Sequence, residues 1–357
     1  MKRLSVTARL VGLLVALGLL ASALACEDLA TPQPAKPSAS QGPSADWYHL
    51  YFTGPTPDHL EGGIPDAIAA SLDGAQKTID VAIYELDLPV IADALIRAKA
   101  RGVQVRLVTD TESLETPFIQ DLRQAKIPVV DDQRSAIMHD KFVVIDRVAV
   151  WTGSMNFTEN EAYRNNNNYL EISSAELAEN YTQEFEKMFV QREFGPKRAA
   201  QTPHARLTVN GTKIENYFAP GGAVASHILE ILRSARTSIH FMTYSFTRAD
   251  FAQALIEKAQ AGVQVQGVFE RRQIEGGGDA AWNALSGAGL DVRLDGNRYN
   301  MHSKVFLVDQ QIVVTGSYNF TQSAERQNDE NVLIIHNAEI ARAYWVEWEK
   351  VWMTASR

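Results

Sequence analysis

His139-Asp140-Lys141, then Asp146, then Gly153-Ser154-Met155-Asn156 form one stretch of this chain. His302-Ser303-Lys304, then Asp309, then Gly316-Ser317-Tyr318-Asn319 form another. Both read His-x-Lys, four residues, Asp, six residues, Gly-Ser-x-Asn, and both run on into Phe-Thr. Six residue types recurring at fixed offsets mark a duplication, and the chemistry of those residues marks a site.

The repeat extends outward from these stretches. Ala75 to Val81 matches Ala235 to Phe241, Ala94-Leu95-Ile96 matches Ala254-Leu255-Ile256, and Gly102-Val103-Gln104-Val105 matches Gly262-Val263-Gln264-Val265. These matches are 160 residues apart and the histidines 163 apart, so the second half carries a short insertion, placed near Gly276-Gly277-Gly278. The halves span 47–195 and 214–357, joined by a polar connection over 196–213. In each half the pattern predicts a short strand (at 51–52 and 217–218), a helix (64–75; 224–235) and a strand (78–84; 238–244). A second helix (89–100; 248–261) and a buried strand (103–109; 263–269) follow, with Gly102 and Gly262 at the helix ends. A further helix and a short strand (128–130; 290–293) lead into the motif. Strands alternating with helices give an α/β fold with helices on both sheet faces. The closing helices, 175–189 and 338–352, are amphipathic. Trp345, Trp348 and Trp352 on the second belong to packing rather than to a ligand.

The first 25 residues read as a secretory signal. Lys2, Arg3 and Arg9 precede an apolar run over 11–20 that is too short to span a bilayer comfortably. Ala23-Leu24-Ala25-Cys26 resembles a bacterial lipobox with Ala in place of a more usual Leu. Cys26, the sole cysteine, is therefore read as a lipidated first residue and a membrane anchor. The stretch 26–46 holds four prolines among Ser, Ala and Gln, the composition of a disordered tether. The precursor carries −9. Removing the signal takes away three basic residues and no acid, leaving −12. Such a protein does not attract polyanions through its overall field, so any affinity for phosphate is local. At 45% hydrophobic and 22% charged, 357 residues suffice for an ample core.

In a strand, His139 and Lys141 share a face, as do His302 and Lys304. A turn after Asp146 or Asp309 leads to a second strand. Pairing the two strands groups His, Lys, Ser and Asn at one end. Histidine is a nucleophile or general acid/base near neutral pH. Lysine is a compact cation suited to phosphate oxygens. Ser154, Asn156, Ser317 and Asn319 can donate hydrogen bonds to an oxyanion. Two copies in one space suit a charged transition state at phosphorus, one His attacking and the other protonating the leaving oxygen. No His, Cys or carboxylate cluster has the spacing of a metal site, and the lysines oppose a cation.

These paired motifs resemble those of the phospholipase D superfamily, over 47–352. Met138 to Phe142 and Gly316 to Thr321 look most like its compact members, among them exported bacterial nucleases and the mitochondrial cardiolipin hydrolase type. The resemblance implies two similar lobes, each a mixed sheet flanked by helices, related by a pseudo-twofold axis with one shared active site. It also implies a phosphohistidine intermediate without a cofactor or metal, His139 as nucleophile and His302 as general acid and then base. Lys141, Lys304, Asn156 and Asn319 then hold the phosphate. Asp146 and Asp309 complete the motif, more readily as structural or supporting groups than as reacting ones. The family often places a Glu after the motif to orient a histidine. Glu330 supplies it here, and Asn167 stands at the aligned place in the first half.

Three functions are weighed. A phospholipase D acting on lipid head groups fits a body anchored beside a membrane. A non-specific nuclease fits the compact halves, with Arg271, Arg272, Arg293 and Arg298 as a local phosphate track. A binding module without catalysis is disfavoured by intact His and Lys in both copies. Both motifs in one chain make a monomer sufficient. The other histidines have no motif, and His240 is expected in the core.

Overall fold

The computed structural model describes residues 40–55, 60–197, 201–278 and 280–357. The signal stretch, Cys26 and the tether up to residue 39 lie outside them. In the first half the strands are β1 (Ser40–Ala45), β2 (Tyr48–Phe52), β3 (Thr78–Ile83), β4 (Gln104–Thr109), β5 (Val129–Asp131), β6 (Lys141–Ile145), β7 (Ala149–Gly153) and β8 (Asn168–Ser173). The helices are α1 (Ile64–Gly74), α2 (Pro89–Ala100), α3 (Pro117–Gln124), α4 (Glu159–Tyr163) and α5 (Ala175–Phe189). The second half has β9 (Arg206–Val209), β10 (Thr212–Ala219), β11 (Ser238–Thr243), β12 (Gln264–Phe269), β13 (Asp291–Leu294), β14 (Lys304–Val308), β15 (Ile312–Gly316) and β16 (Glu330–His336). Its helices are α6 (Val224–Ser234), α7 (Ala249–Gln260), α8 (Arg271–Glu275), α9 (Ala280–Gly287), α10 (Gln322–Arg326) and α11 (Ala338–Thr354).

Spacing explains the elements. Ile64, Ile68 and Leu72 fall on one face of α1, and Ile91, Leu95 and Ala98 on one face of α2. A proline opens each of these helices, where its missing N–H costs nothing. Thr158 caps α4 and Thr321 caps α10, so the Phe-Thr that follows each motif asparagine starts a helix.

Each half makes an eight-stranded mixed sheet in the same order. The first runs β5-β4-β3-β6-β7-β8-β2-β1, the second β13-β12-β11-β14-β15-β16-β10-β9. In each, the first three strands are mutually parallel and the rest antiparallel. The outer faces are covered by α1, α2 and α3 in one half and α6, α7 and α9 in the other. The inner faces share one core. Leu177, Tyr181 and Phe185 of α5 and Ile340, Tyr344 and Trp348 of α11 pack there against strands of both halves. The tryptophans of α11 thus serve packing, with Trp348 Nε1 donating to the Phe241 carbonyl at 3.1 Å.

Two strands fall where none was expected. β1 lies inside the stretch read as a tether and pairs antiparallel with β2. β9 lies in the connection and pairs antiparallel with β10. Both are edge strands on the backbone ladder, and β9 also buries Leu207 and Val209 in the core. The insertion falls where expected. α8 and α9 of the second half replace the single turn at Thr111–Ser113 and α3 of the first.

Candidate active site

β6 with β7, and β14 with β15, are hairpins. Their turns place Asp146 and Arg147, and Asp309 and Gln310, at positive φ, the backbone of a tight hairpin turn that follows strand twist. The Gly of each Gly-Ser-x-Asn ends the second strand. A Cβ on Gly153 would overlap the Asn168 carbonyl oxygen, and one on Gly316 the Asn331 carbonyl oxygen, so only glycine fits. The hairpin brings His139, Lys141, Ser154 and Asn156 to one end, and His302, Lys304, Ser317 and Asn319 to the corresponding end.

The segments before the histidines cross between the halves. His139 N donates to the Asp329 carbonyl, and His302 N to the Asn166 carbonyl, each at 2.9 Å. A carboxylate anchors the residue before each histidine. Asp110 Oδ2 accepts from Met138 N at 2.9 Å, and Glu270 Oε2 from Met301 N at 2.6 Å.

The partners of the histidines also cross. His139 Nδ1 lies 2.9 Å from both carboxylate oxygens of Glu330. His302 Nδ1 lies 3.2 Å from Asn167 Oδ1 and 3.0 Å from Glu161 Oε2. Asn167 Nδ2 in turn donates to the Glu161 carboxylate and to its backbone carbonyl. Glu330 and Asn167 thus stand at the histidines, while Glu161 was not legible from the motif. Its signal is a mismatch between the halves: Glu161 aligns with Ala324, as Asn167 aligns with Glu330. Two further groups went unread. Tyr84 lies edge-on to the His139 ring at 5.5 Å, and Tyr244 to the His302 ring at 4.5 Å.

The lysines are almost wholly buried. Lys141 Nζ donates to the His139 carbonyl at 2.9 Å, and Lys304 Nζ to the His302 carbonyl at 2.6 Å. The ammonium groups also lie 5.6 Å and 5.0 Å from the ring centres of Tyr84 and Tyr244. Among the described residues, Asn156 Oδ1 and Asn319 Oδ1 are buried without a partner. The motif serines do otherwise than expected. Ser154 Oγ donates to Asn167 Oδ1 at 2.7 Å and accepts from Asn168 N at 3.1 Å. Ser317 Oγ donates to Glu330 at 2.5 Å and accepts from Asn331 N at 3.0 Å. Their hydroxyls bracket the partners of the histidines, so they are not the phosphate ligands that the motif implied.

Asp146 and Asp309 are not brought to the histidines. They sit at the far end of the hairpins. Asp146 accepts from the backbone N–H groups of Gln76, Lys77 and Thr78 at 2.6–2.8 Å, and Asp309 from those of Arg236, Thr237 and Ser238. The motif aspartates fasten the hairpin turns to the starts of β3 and β11, a structural place and not one among the reacting groups. The arginine track is also reduced. Arg293 lies over the Trp352 ring at 3.8 Å, and Arg271 is tied to the Asp295 carbonyl and Ser356. Arg272 and Arg298 remain exposed, joined by Arg272 Nη2 donating to the Arg298 carbonyl at 2.7 Å. His240 is buried in the core, beside the Trp348 ring.

Burial sets the charge state of the site. It lowers His139 well below the ordinary histidine range, and Lys141 and Lys304 lower it further. His302 is lowered to about 4 by burial, with Glu161 opposing. Burial also takes Lys141 down to about 8 and, with the Lys141 charge, Lys304 to about 7. The two carboxyls separate. Burial lifts Glu330 to about 8 against the pull of Lys141 and Ser317. Burial pushes Glu161 up too, but His302, Lys304 and Asn167 outweigh it and hold it at about 2. Lys304 is felt by His139 and by Glu161, so the groups of both motifs act in one space. Two imidazoles, two ammonium groups and the N–H donors of two asparagine amides together can bind a phosphoryl group and exchange protons with its oxygens. Among the described residues no group of three His, Cys, Asp or Glu is placed to hold a metal ion.

A family model described as "Cardiolipin synthase, PLD-like domain" matches residues 68–189 and again 228–352, one match on each half. The chain belongs to the phospholipase D superfamily. A phospholipase D of Rickettsia conorii is 40% identical over 123 residues, 34% of this chain and 62% of that protein. A mitochondrial cardiolipin hydrolase of Xenopus laevis is 35% identical over 118 residues, 32% of this chain and 56% of that protein. The chain thus spans about three fifths of the length of these relatives. The phosphatidylserine synthase of Haemophilus influenzae superposes with a TM-score of 0.63 at 15% identity, over 86% of each chain, and so shares the two-lobed fold.

Proposed function

We propose that this phospholipase D-family protein is a phosphodiesterase that acts through a phosphohistidine intermediate on phospholipid head groups. The observation that carries this reading is the pairing of each buried motif histidine with a carboxylate from the other half. Each Nδ1 is engaged there, which leaves Nε2 as the reacting nitrogen. His139 Nε2 attacks phosphorus, and the bond from phosphorus to the leaving alcohol oxygen breaks as His302 gives that oxygen a proton. Water then adds to the phosphohistidine with His302 taking its proton, and phosphate monoester and free His139 result. Lys141, Lys304, Asn156 and Asn319 hold the non-reacting phosphate oxygens. The ionised Glu161 carboxylate draws the His302 ring toward its protonated form, against the burial that takes it to about 4. His139, lowered by burial and by the two lysines, is the neutral imidazole that a nucleophile needs.

Lipid as the substrate is supported by the reading of 1–26 as a signal and lipidated Cys26, which would hold an exported body at a membrane surface. Exposed Arg272 and Arg298 favour a second reading, cleavage of nucleic acid. The mature protein, with excess EDTA, is given phospholipid vesicles and single-stranded DNA in parallel, with His302→Ala as control. Head-group release that vanishes in the variant supports the lipid reading. Strand cleavage alone replaces it with the nuclease, and activity on neither overturns both substrates.

A further inference from the structure

The two halves keep the same fold and the same motif, yet they place the carboxylate that meets a histidine differently. In the second half the acid is Glu330, at the first residue of β16, and the aligned α10 position is Ala324, fully buried. In the first half the aligned place, just before β8, holds Asn167, and the acid stands six residues earlier as Glu161 on α4. A carboxylate has been lost at one aligned place and gained at another. Both changes meet at His302. Asn167 Oδ1 reaches Nδ1 at 3.2 Å, but it already accepts from Ser154 Oγ at 2.7 Å and carries no charge to offset an imidazolium. Glu161 Oε2 is closer, at 3.0 Å, and its residue is only 7% exposed. The Asn167 amide holds that carboxylate by its Nδ2, a contact a second carboxylate could not make.

We propose that Glu161 is the positioning carboxylate of His302, relocated from the place its counterpart Glu330 occupies, with Asn167 converted into the bracket that holds it. The pair Glu161 and Asn167 does for His302 what Glu330 does alone for His139.

Exchange within the duplication supplies the test. The full mature chain is made as Glu161→Gln, Glu161→Ala, and the double variant Glu161→Ala with Asn167→Glu, which rebuilds the arrangement of the second half. The first readout needs no turnover. The ring-nitrogen shifts of His302 are followed against pH by NMR. In Glu161→Gln the pH at which this ring takes a proton falls, and by more than that of His139, on which Glu161 acts through its charge alone. In the double variant the His302 value returns. His302 shifts unchanged in Glu161→Gln overturn the proposal.

The second readout, hydrolysis of bis(p-nitrophenyl) phosphate, rests on the phosphodiesterase reading. Glu161→Ala is expected to lose about 100-fold in kcat, the alkaline limb of its pH profile moving to lower pH. The double variant is expected to recover about tenfold or more. Wild-type kcat in Glu161→Ala, or a double variant that melts normally yet is no faster than Glu161→Ala, overturns it. No hydrolysis by the wild-type chain would refute the phosphodiesterase reading instead, and the NMR readout would still decide the role of Glu161.

Discussion

His139 and His302 occupy equivalent places in two sheets of the same strand order, yet their surroundings differ in kind. His139 faces one carboxyl, Glu330, that burial lifts to about 8. His302 faces a carboxyl, Glu161, that its neighbours hold at about 2, together with the amide of Asn167. Duplication gave two copies of one chemistry, and the positions around the motif made the copies unequal. Motif identity therefore does not fix role. Role depends on what the ring nitrogen away from the substrate touches.

The largest expected effect tests whether both copies serve one site. His139→Ala and His302→Ala should each reduce turnover by about 10³-fold or more. Full activity in either variant would show that the halves work separately. Next come the lysines. Lys141→Met or Lys304→Met should cost about 10²–10³-fold in kcat, as removal of one group that meets developing charge does. For the wild type, activity should fall as pH rises past about 7 to 8, where Lys304 and Lys141 lose their charge.

The carboxyls sharpen the comparison through stability. Glu161 is lowered from 4.5 to about 2, so its stabilisation is present above 4.5 and lost as pH falls toward 2. Glu330 is raised from 4.5 to about 8, so the folded state is favoured below 4.5 and loses that advantage as pH rises toward 8. Glu161→Gln should therefore melt below wild type at pH 7. Glu330→Gln should melt at or above wild type at pH 8. The same direction for both variants would break the distinction. The smallest effect is expected at Asp146. Asp146→Ala should cost about 2 kcal/mol of stability through the lost backbone contacts, read by denaturant unfolding, with kcat unchanged at a temperature where the variant is folded.

Much of this was legible in the sequence. The helices at 64–74 and 89–100 and the strand between them followed from apolar spacing and from agreement between the halves. The motif placed His139, Lys141, His302 and Lys304 correctly because a hairpin is a local structure with a fixed period. Long-range contacts were not legible in the same way. Ser154 and Ser317 look like phosphate ligands until the β8 and β16 neighbours that take up their hydroxyls are seen. Asp146 and Asp309 belong to the motif by spacing, but a hairpin separates its turn from its open end. Glu161 was hidden because alignment of 167 with 330 showed a missing acid, and only the geometry showed where it had gone. β9 alternates buried Leu207 and Val209 with exposed Arg206 and Thr208, but four residues are too short a run to mark a strand.

The central claim is that one motif histidine forms a covalent bond to phosphorus in a site built by both halves. Wild-type protein turning over excess substrate is quenched in alkali, which preserves phosphohistidine, and the adduct is mapped by peptide mass spectrometry. One adduct is expected, on His139, absent from His139→Ala. An adduct on a residue outside the two motifs, or active turnover with no histidine adduct, would contradict it.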